Sequence, residues 1–185
     1  MTITDTIALL RRHEGRAEAG HEAAMLAEYF PFIAAHADCV WRTCLDGHLT
    51  ASAWIVDAAH ERTLLTHHRK LDRWLQLGGH VDGKADLAAA AMREAQEESG
   101  LTRLRLVSPE VFDVDRHRIP ARGAEPEHWH FDVRFLIEAD PSEPFQISSE
   151  SKDLAWVRLD EVARLNPDES LRRMVRKVLG PQSFS

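Results

Sequence analysis

Between Arg93 and Gly100 the chain carries Glu94, Glu97 and Glu98, a spacing that stacks three carboxylates on adjacent turns of a helix just before a glycine stop. Carboxylates at a helix C-terminus meet the negative pole of the macrodipole, each unfavourable by roughly 0.3–1 kcal/mol, and at this spacing they also repel one another. Arg93 is placed to partner Glu97 one turn on, yet one guanidinium against three acids leaves an excess of negative charge. Oxygen donors in excess suit a hard divalent metal ion. Upstream lies the glycine-bounded loop Gly78-Gly79-His80-Val81-Asp82-Gly83, and Asp86 is placed to cap the helix ahead of Leu87, Ala88, Ala91 and Met92.

This order of residues resembles the Nudix box: Gly, five residues, Glu, seven residues, Arg-Glu, an aliphatic, any residue, Glu-Glu, any residue, Gly, an aliphatic. Gly79, Arg93, Glu94, Glu97, Glu98, Gly100 and Leu101 fall on it in register, whereas Ala85 stands where the box has its first Glu and Ala95 where it has an aliphatic. The resemblance implies an α/β fold, the Nudix-type α/β/α sandwich with a mixed β-sheet. It also implies a metal-dependent hydrolase that cleaves the diphosphate (pyrophosphate) linkage of a nucleoside diphosphate derivative by water attack on phosphorus. On that resemblance, Mg²⁺ or Mn²⁺ is held by the Gly79 carbonyl and by Glu94, Glu97 and Glu98, with Arg93 holding a glutamate in place. Some members carry a further metal-binding or catalytic glutamate just upstream of a late strand, the place of Glu150 here; Glu94 and Glu150 are the candidates for general base. Two alternatives differ in class. A non-catalytic ligand sensor is expected to lose the Arg-Glu and Glu-Glu elements, and both are intact. An enzyme of the isopentenyl diphosphate isomerase type uses a catalytic Cys, and neither Cys39 nor Cys44 sits in such a motif.

Further polar groups flank the box. His128, His130, Asp132 and Arg134 alternate with Trp129, Phe131, Val133 and Phe135, so one face of that strand is core and the other is washed by solvent or lines a cleft. His128 and His130 are candidates for substrate contact, and a zinc site from the His-x-His pair lacks a convincing third ligand in the sequence. The stretch from Asp115 to Glu127 reads as a long polar loop in which Arg116 and Arg118 are placed to grip phosphates.

These groups need a scaffold, and 185 residues with 44% hydrophobic content suit one domain with a sizeable core. The reading assigns residues 1–36 to an N-terminal helical extension, able to cover a core edge or serve a dimer, and residues 37–185 to the hydrolase domain. A formal net charge of -7 argues against a broad nucleic-acid surface. Two cysteines without metal spacing, no signal-like N-terminus and no run of membrane-spanning length lead to a cytoplasmic expectation.

Element by element, Thr4 or Asp5 is expected to cap a first helix through Ile7, Leu9 and Leu10, and a second runs from about Glu18 until Pro31 disturbs it. Strands are expected over Cys39–Leu45, Thr50–Val56, Arg62–His67 and Trp74–Leu77, with Asp46-Gly47 as a hairpin turn. Later strands are Leu104–Val114, His128–Glu138 and Leu154–Arg158, before a last helix that Asn166 caps and Gly180-Pro181 ends.

Overall fold

The computed structural model describes residues 2–180. Helices α1 (Ile3–Glu14) and α2 (His21–Ala35) come first, followed by strands β1 (Gly47–Val56), β2 (Arg62–His68), β3 (Arg73–Leu75) and β4 (Leu77–His80). Then come α3 (Leu87–Ser99), β5 (Arg105–Leu106), β6 (Asp113–Ile119), β7 (His128–Glu138), β8 (Ser151–Arg158), a 3₁₀ turn at Leu159–Glu161, and helices α4 (Val162–Leu165) and α5 (Glu169–Leu179). The strands follow the hydrogen-bonded order β3-β2-β1-β7-β5, with β4 on β1, β6 on β7 and β8 on β2.

The chain forms two compact units: residues up to Ser52 with Gly79–Ala91 and Ser108–Phe135, and Ala53–Gly78 with Met92–Val107 and Leu136 onward. In the first unit, Tyr29 of α2 packs edge-on to Phe131 of β7 and Phe32 stacks on the same ring at 4.0 Å. The first unit also contains the β6–β7 hairpin, paired antiparallel from Asp113↔Arg134 to Ile119↔His128. The second unit closes over Ala53, Ile55, Leu64, Leu77, Ala95, Leu101, Ile137 and Leu154. Its β2 pairs antiparallel with β3 and with β8.

Several expectations need correction. Cys39–Leu45 is no strand, because its amides close local turns (Cys39 N to His36 O, 3.1 Å; Trp41 N to Asp38 O, 2.8 Å; Cys44 N to Trp41 O, 3.0 Å) instead of a ladder. Asp46-Gly47 therefore turns no hairpin, and β1 starts at Gly47. Leu104–Val114 splits into β5 and β6 around Ser108-Pro109, where proline has no amide to donate. Asp115–Ile119 belongs to β6, so the long loop shrinks to residues 120–127.

The first helix is capped by Thr2, with Asp5 closing a capping box, not by Thr4 or Asp5 themselves. Pro31 lies inside α2, which continues to Ala35 because one lost hydrogen bond is outweighed by a buried face of Met25, Leu26, Tyr29 and Ile33. Asn166 does not cap the last helix. Its amide donates to the Trp74 carbonyl at 2.9 Å and its side-chain oxygen accepts from the Asp168 amide at 3.0 Å, one turn of loop before α5 begins. Gly180 does end that helix, and Pro181 lies outside the described residues.

Candidate active site

The helix that carries the acids forms as its sequence dictates. Asp86 Oδ1 accepts the Ala89 amide at 3.0 Å, satisfying one of the free donors of the first turn, and the small Ala90, Ala91 and Ala95 are buried along one face. Gly100 stops it at φ 71°, a left-handed backbone in which a side chain is strained, and a Cβ there would meet Gln146 at 3.0 Å. In the first unit, the Thr6 hydroxyl of α1 donates to the Ala85 carbonyl at 3.1 Å, tying the N-terminal helix to the residue just ahead of the cap.

The last two turns of α3 gather the charges. Arg93 Nη2 meets Glu94 Oε1 at 2.6 Å, while its Nε lies 3.8 Å from Glu97 Oε1. Glu94, not the i+4 acid, is thus the tight partner of this arginine. Glu98 is anchored differently, with Oε2 accepting the Gly78 amide at 3.3 Å. Burial, then the Glu94 charge, and also the Glu150 and Glu97 charges push its carboxyl up to about 8, against the pull of that Gly78 hydrogen bond. Glu150 therefore belongs to the same electrostatic neighbourhood as the helix acids, although it is exposed on the turn that enters β8. Its carbonyl is fixed by the Arg69 amide at 2.8 Å and its amide by Ser148 Oγ at 3.3 Å.

Gly79, His128, His130, Arg116 and Arg118 lie in the other unit. There the polar face of β7 is not solvent-washed: Asp132 and Arg134 are each 2% exposed. Arg134 makes ion pairs with Asp132 (2.8 Å), Asp113 (3.1 Å) and Asp115 (3.2 Å). Burial alone would lower the pKa of this guanidinium, but the three aspartates raise it above its ordinary value. Thr50 and Ser52 donate to Asp132, and the Tyr29 hydroxyl donates to the Asp115 and Asp132 carbonyls at 2.6 and 2.7 Å. This network braces the hairpin.

Further along the hairpin, Arg116 lies 3.8 Å over the Trp129 ring, and Arg118 pairs with Glu127 at 2.6 Å. His128 and His130 join an imidazole cluster with His48 and His80, and His117 approaches His130 at 5.4 Å. Burial, then the neighbouring imidazoles, drive His130 down to about 2; burial and the Arg42 charge take His80 to about 4, and burial lowers His48. A lone residue such as His48 carries no periodic or motif signal in the sequence, and only the fold brings it to the cluster. Cys39 and Cys44 are buried free thiols, and Cys44 groups with His36 and Asp38.

Against known proteins, the model of the NUDIX domain family matches residues 47–178. The chain belongs to the Nudix family. Among solved structures, the C. elegans Ap4A hydrolase in a binary complex is 22% identical, with 70% of this chain and 93% of that one covered at a TM-score of 0.56. The E. coli dihydroneopterin triphosphate pyrophosphohydrolase is 20% identical over 70% and 92% at 0.55, and the NUDIX domain of Shewanella oneidensis NrtR, crystallised with ADP ribose, is 16% identical over 71% and 85% at 0.50. These likenesses carry the fold, the α/β Nudix sandwich that the box implied. No curated protein matches. Family membership makes the chain a Nudix pyrophosphohydrolase, a class that works with divalent metal ions. Among the described residues no helix is long and apolar enough to cross a membrane.

Proposed function

We propose that this Nudix protein hydrolyses the diphosphate linkage of a nucleoside diphosphate derivative, with Mg²⁺ or Mn²⁺ held by Glu94, Glu97, Glu98 and Glu150 and by the carbonyl of Gly79. The observation that carries this reading is the Glu98 carboxyl, which resists ionisation first because of its burial and then because of the charges of Glu94, Glu150 and Glu97 beside it. Such a donor set, all oxygen and in excess of its cation Arg93, fits a hard divalent ion and would be destabilising without one. When bound, the ion neutralises charge on the phosphates and makes water a better nucleophile.

The chain's own residues divide the remaining work. Arg93 orients Glu94 through the 2.6 Å ion pair, and the Gly78 amide orients Glu98. Glu94 Oε1 is taken by Arg93, which leaves the exposed Glu150 as the better-placed base to draw a proton from the attacking water. Arg116 and Arg118 are proposed contacts for the anionic substrate, with Trp129 as a platform beneath Arg116. Residues 1–36 are proposed as an extension to the Nudix domain of residues 37–185; the Thr6 bond to Ala85 supports a bracing role for it.

The test is a panel of diphosphates, including Ap4A, dihydroneopterin triphosphate, ADP-ribose and sugar nucleotides, with Mg²⁺ and Mn²⁺ and products identified by mass. We expect metal-dependent cleavage between phosphorus atoms of at least one of them. Tight binding without cleavage across the panel would select the ligand-sensor reading instead.

A further inference from the structure

Three histidines from two strands meet in the first unit. His48 enters on β1, His128 and His130 on β7, and their ligand nitrogens all lie within 4.8 Å of one another. For two of them the backbone fixes which nitrogen is offered. His48 Nδ1 lies 3.4 Å from the Cys44 carbonyl and His128 Nδ1 2.9 Å from the Pro126 carbonyl. A carbonyl only accepts, so both rings carry their proton on Nδ1 and present the Nε2 lone pair. An outer carbonyl of this kind is what orients a metal-binding imidazole.

One pair of ligand nitrogens already has the spacing a zinc ion needs. Nε2 of His128 and Nε2 of His130 are 3.3 Å apart. Zinc–nitrogen bonds of about 2.0–2.1 Å in a tetrahedron place ligand nitrogens roughly 3.3–3.4 Å from each other. A hydrogen bond between those two rings would satisfy that pair alone, because Nε2 of His48, a residue 1% exposed, has no hydrogen-bond partner among the described residues. An acceptor buried in that way keeps the full cost of its lost hydration. One cation facing all three lone pairs satisfies them together.

We propose that His48, His128 and His130 form a second metal site, separate in chemistry from the carboxylates, that takes a borderline transition-metal ion of the Zn²⁺ class. Three neutral imidazoles are poor ligands for Mg²⁺ and good ones for Zn²⁺, Co²⁺ or Ni²⁺. A three-histidine set leaves a fourth position for water or a carboxylate, and Glu125 Oε1 lies 3.9 Å from His128 Nε2, within reach of it. The ion would tether β1 to β7 through side chains as well as backbone.

The test uses the full chain, stripped with chelator and refilled with Co²⁺ in excess Mg²⁺, which occupies the hard site. One equivalent of Co²⁺ is expected to develop the intense visible bands of a four-coordinate ion, and Zn²⁺ to bleach them. His48→Gln and His130→Gln should each weaken Zn²⁺ binding by more than the roughly 10–100-fold that losing an outer-shell partner costs. Glu98→Gln should keep the Co²⁺ spectrum, which separates this site from the carboxylates. Should the histidine variants fail to fold, ¹⁵N spectra of histidine-labelled wild type decide: three Nε2 resonances should move with one equivalent of Zn²⁺. Absence of the bands, wild-type Zn²⁺ affinity in His48→Gln, or unmoved Nε2 resonances would each overturn the proposal.

Discussion

The glutamate cluster of α3 and the imidazole cluster of β1 and β7 respond to the same pressure in opposite directions. Burial favours the uncharged form of any ionisable group, so it pushes the Glu98 carboxyl up to about 8 and the His130 ring down to about 2. Glu98 is thereby left with a proton that must be shed before it can ligate a cation, while the His48 and His130 rings, both shifted down by burial, offer neutral lone pairs at once. On the two proposals above, hard oxygen donors in one place and borderline nitrogen donors in the other would select different ions from the same solution.

The sharpest way to break this comparison is to remove one carboxylate. Glu97, more exposed than Glu94 and only loosely held by Arg93, has little packing to lose. Glu97→Gln should lower turnover by at least about 100-fold, the scale of losing one charge-stabilising group, with an unchanged melting curve. Comparable turnover in the variant, measured on whichever diphosphate the panel identifies, would take Glu97 out of the site.

A smaller effect separates the two clusters by pH. The folded-state pKa of Glu98 is raised from 4.5 to about 8, so between those values the folded chain holds a proton that the unfolded chain has lost. Its contribution to the stability of metal-free protein is present below pH 4.5 and is lost as pH rises towards 8. His130, depressed from 6.5 to about 2, has the opposite sign: its contribution is present above pH 6.5 and is lost as pH falls through that window. Thermal melts in chelator should therefore show Glu98→Gln gaining most on the alkaline side and His130→Gln gaining on the acid side. Saturating Mg²⁺ or Mn²⁺ should stabilise the wild type, by about 2.7 kcal/mol at a hundred times Kd, and stabilise Glu98→Gln less. A Glu98→Gln protein that melts well below wild type in chelator would mean that the Gly78 contact outweighs the repulsion.

The smallest effect concerns Asp86, which stands next to the position where the box has a glutamate. Asp86→Ala should cost about 0.5–2 kcal/mol as a lost helix cap and leave turnover alone. A fall in turnover with an unchanged melt would assign that carboxylate to the chemistry instead.

Local order explains what was legible. The Asp86 cap, the Gly100 stop and the spacing of Arg93, Glu94, Glu97 and Glu98 are properties of consecutive residues, which a helix turns into geometry by its own period. With those residues known, the Nudix box and its fold followed from sequence alone, as did the placing of Glu150 ahead of a strand. Tertiary structure decided the rest. His48 meets His128 and His130 only because β1 and β7 are neighbours in the sheet, and no local pattern announces a pairing between segments so far apart. Arg134 reads as one more charge on an alternating strand until Asp113 and Asp115 arrive from β6 to enclose it. Cys39–Leu45 has the composition of a strand, but a strand needs a partner for its amides, and here the local turns claim them first.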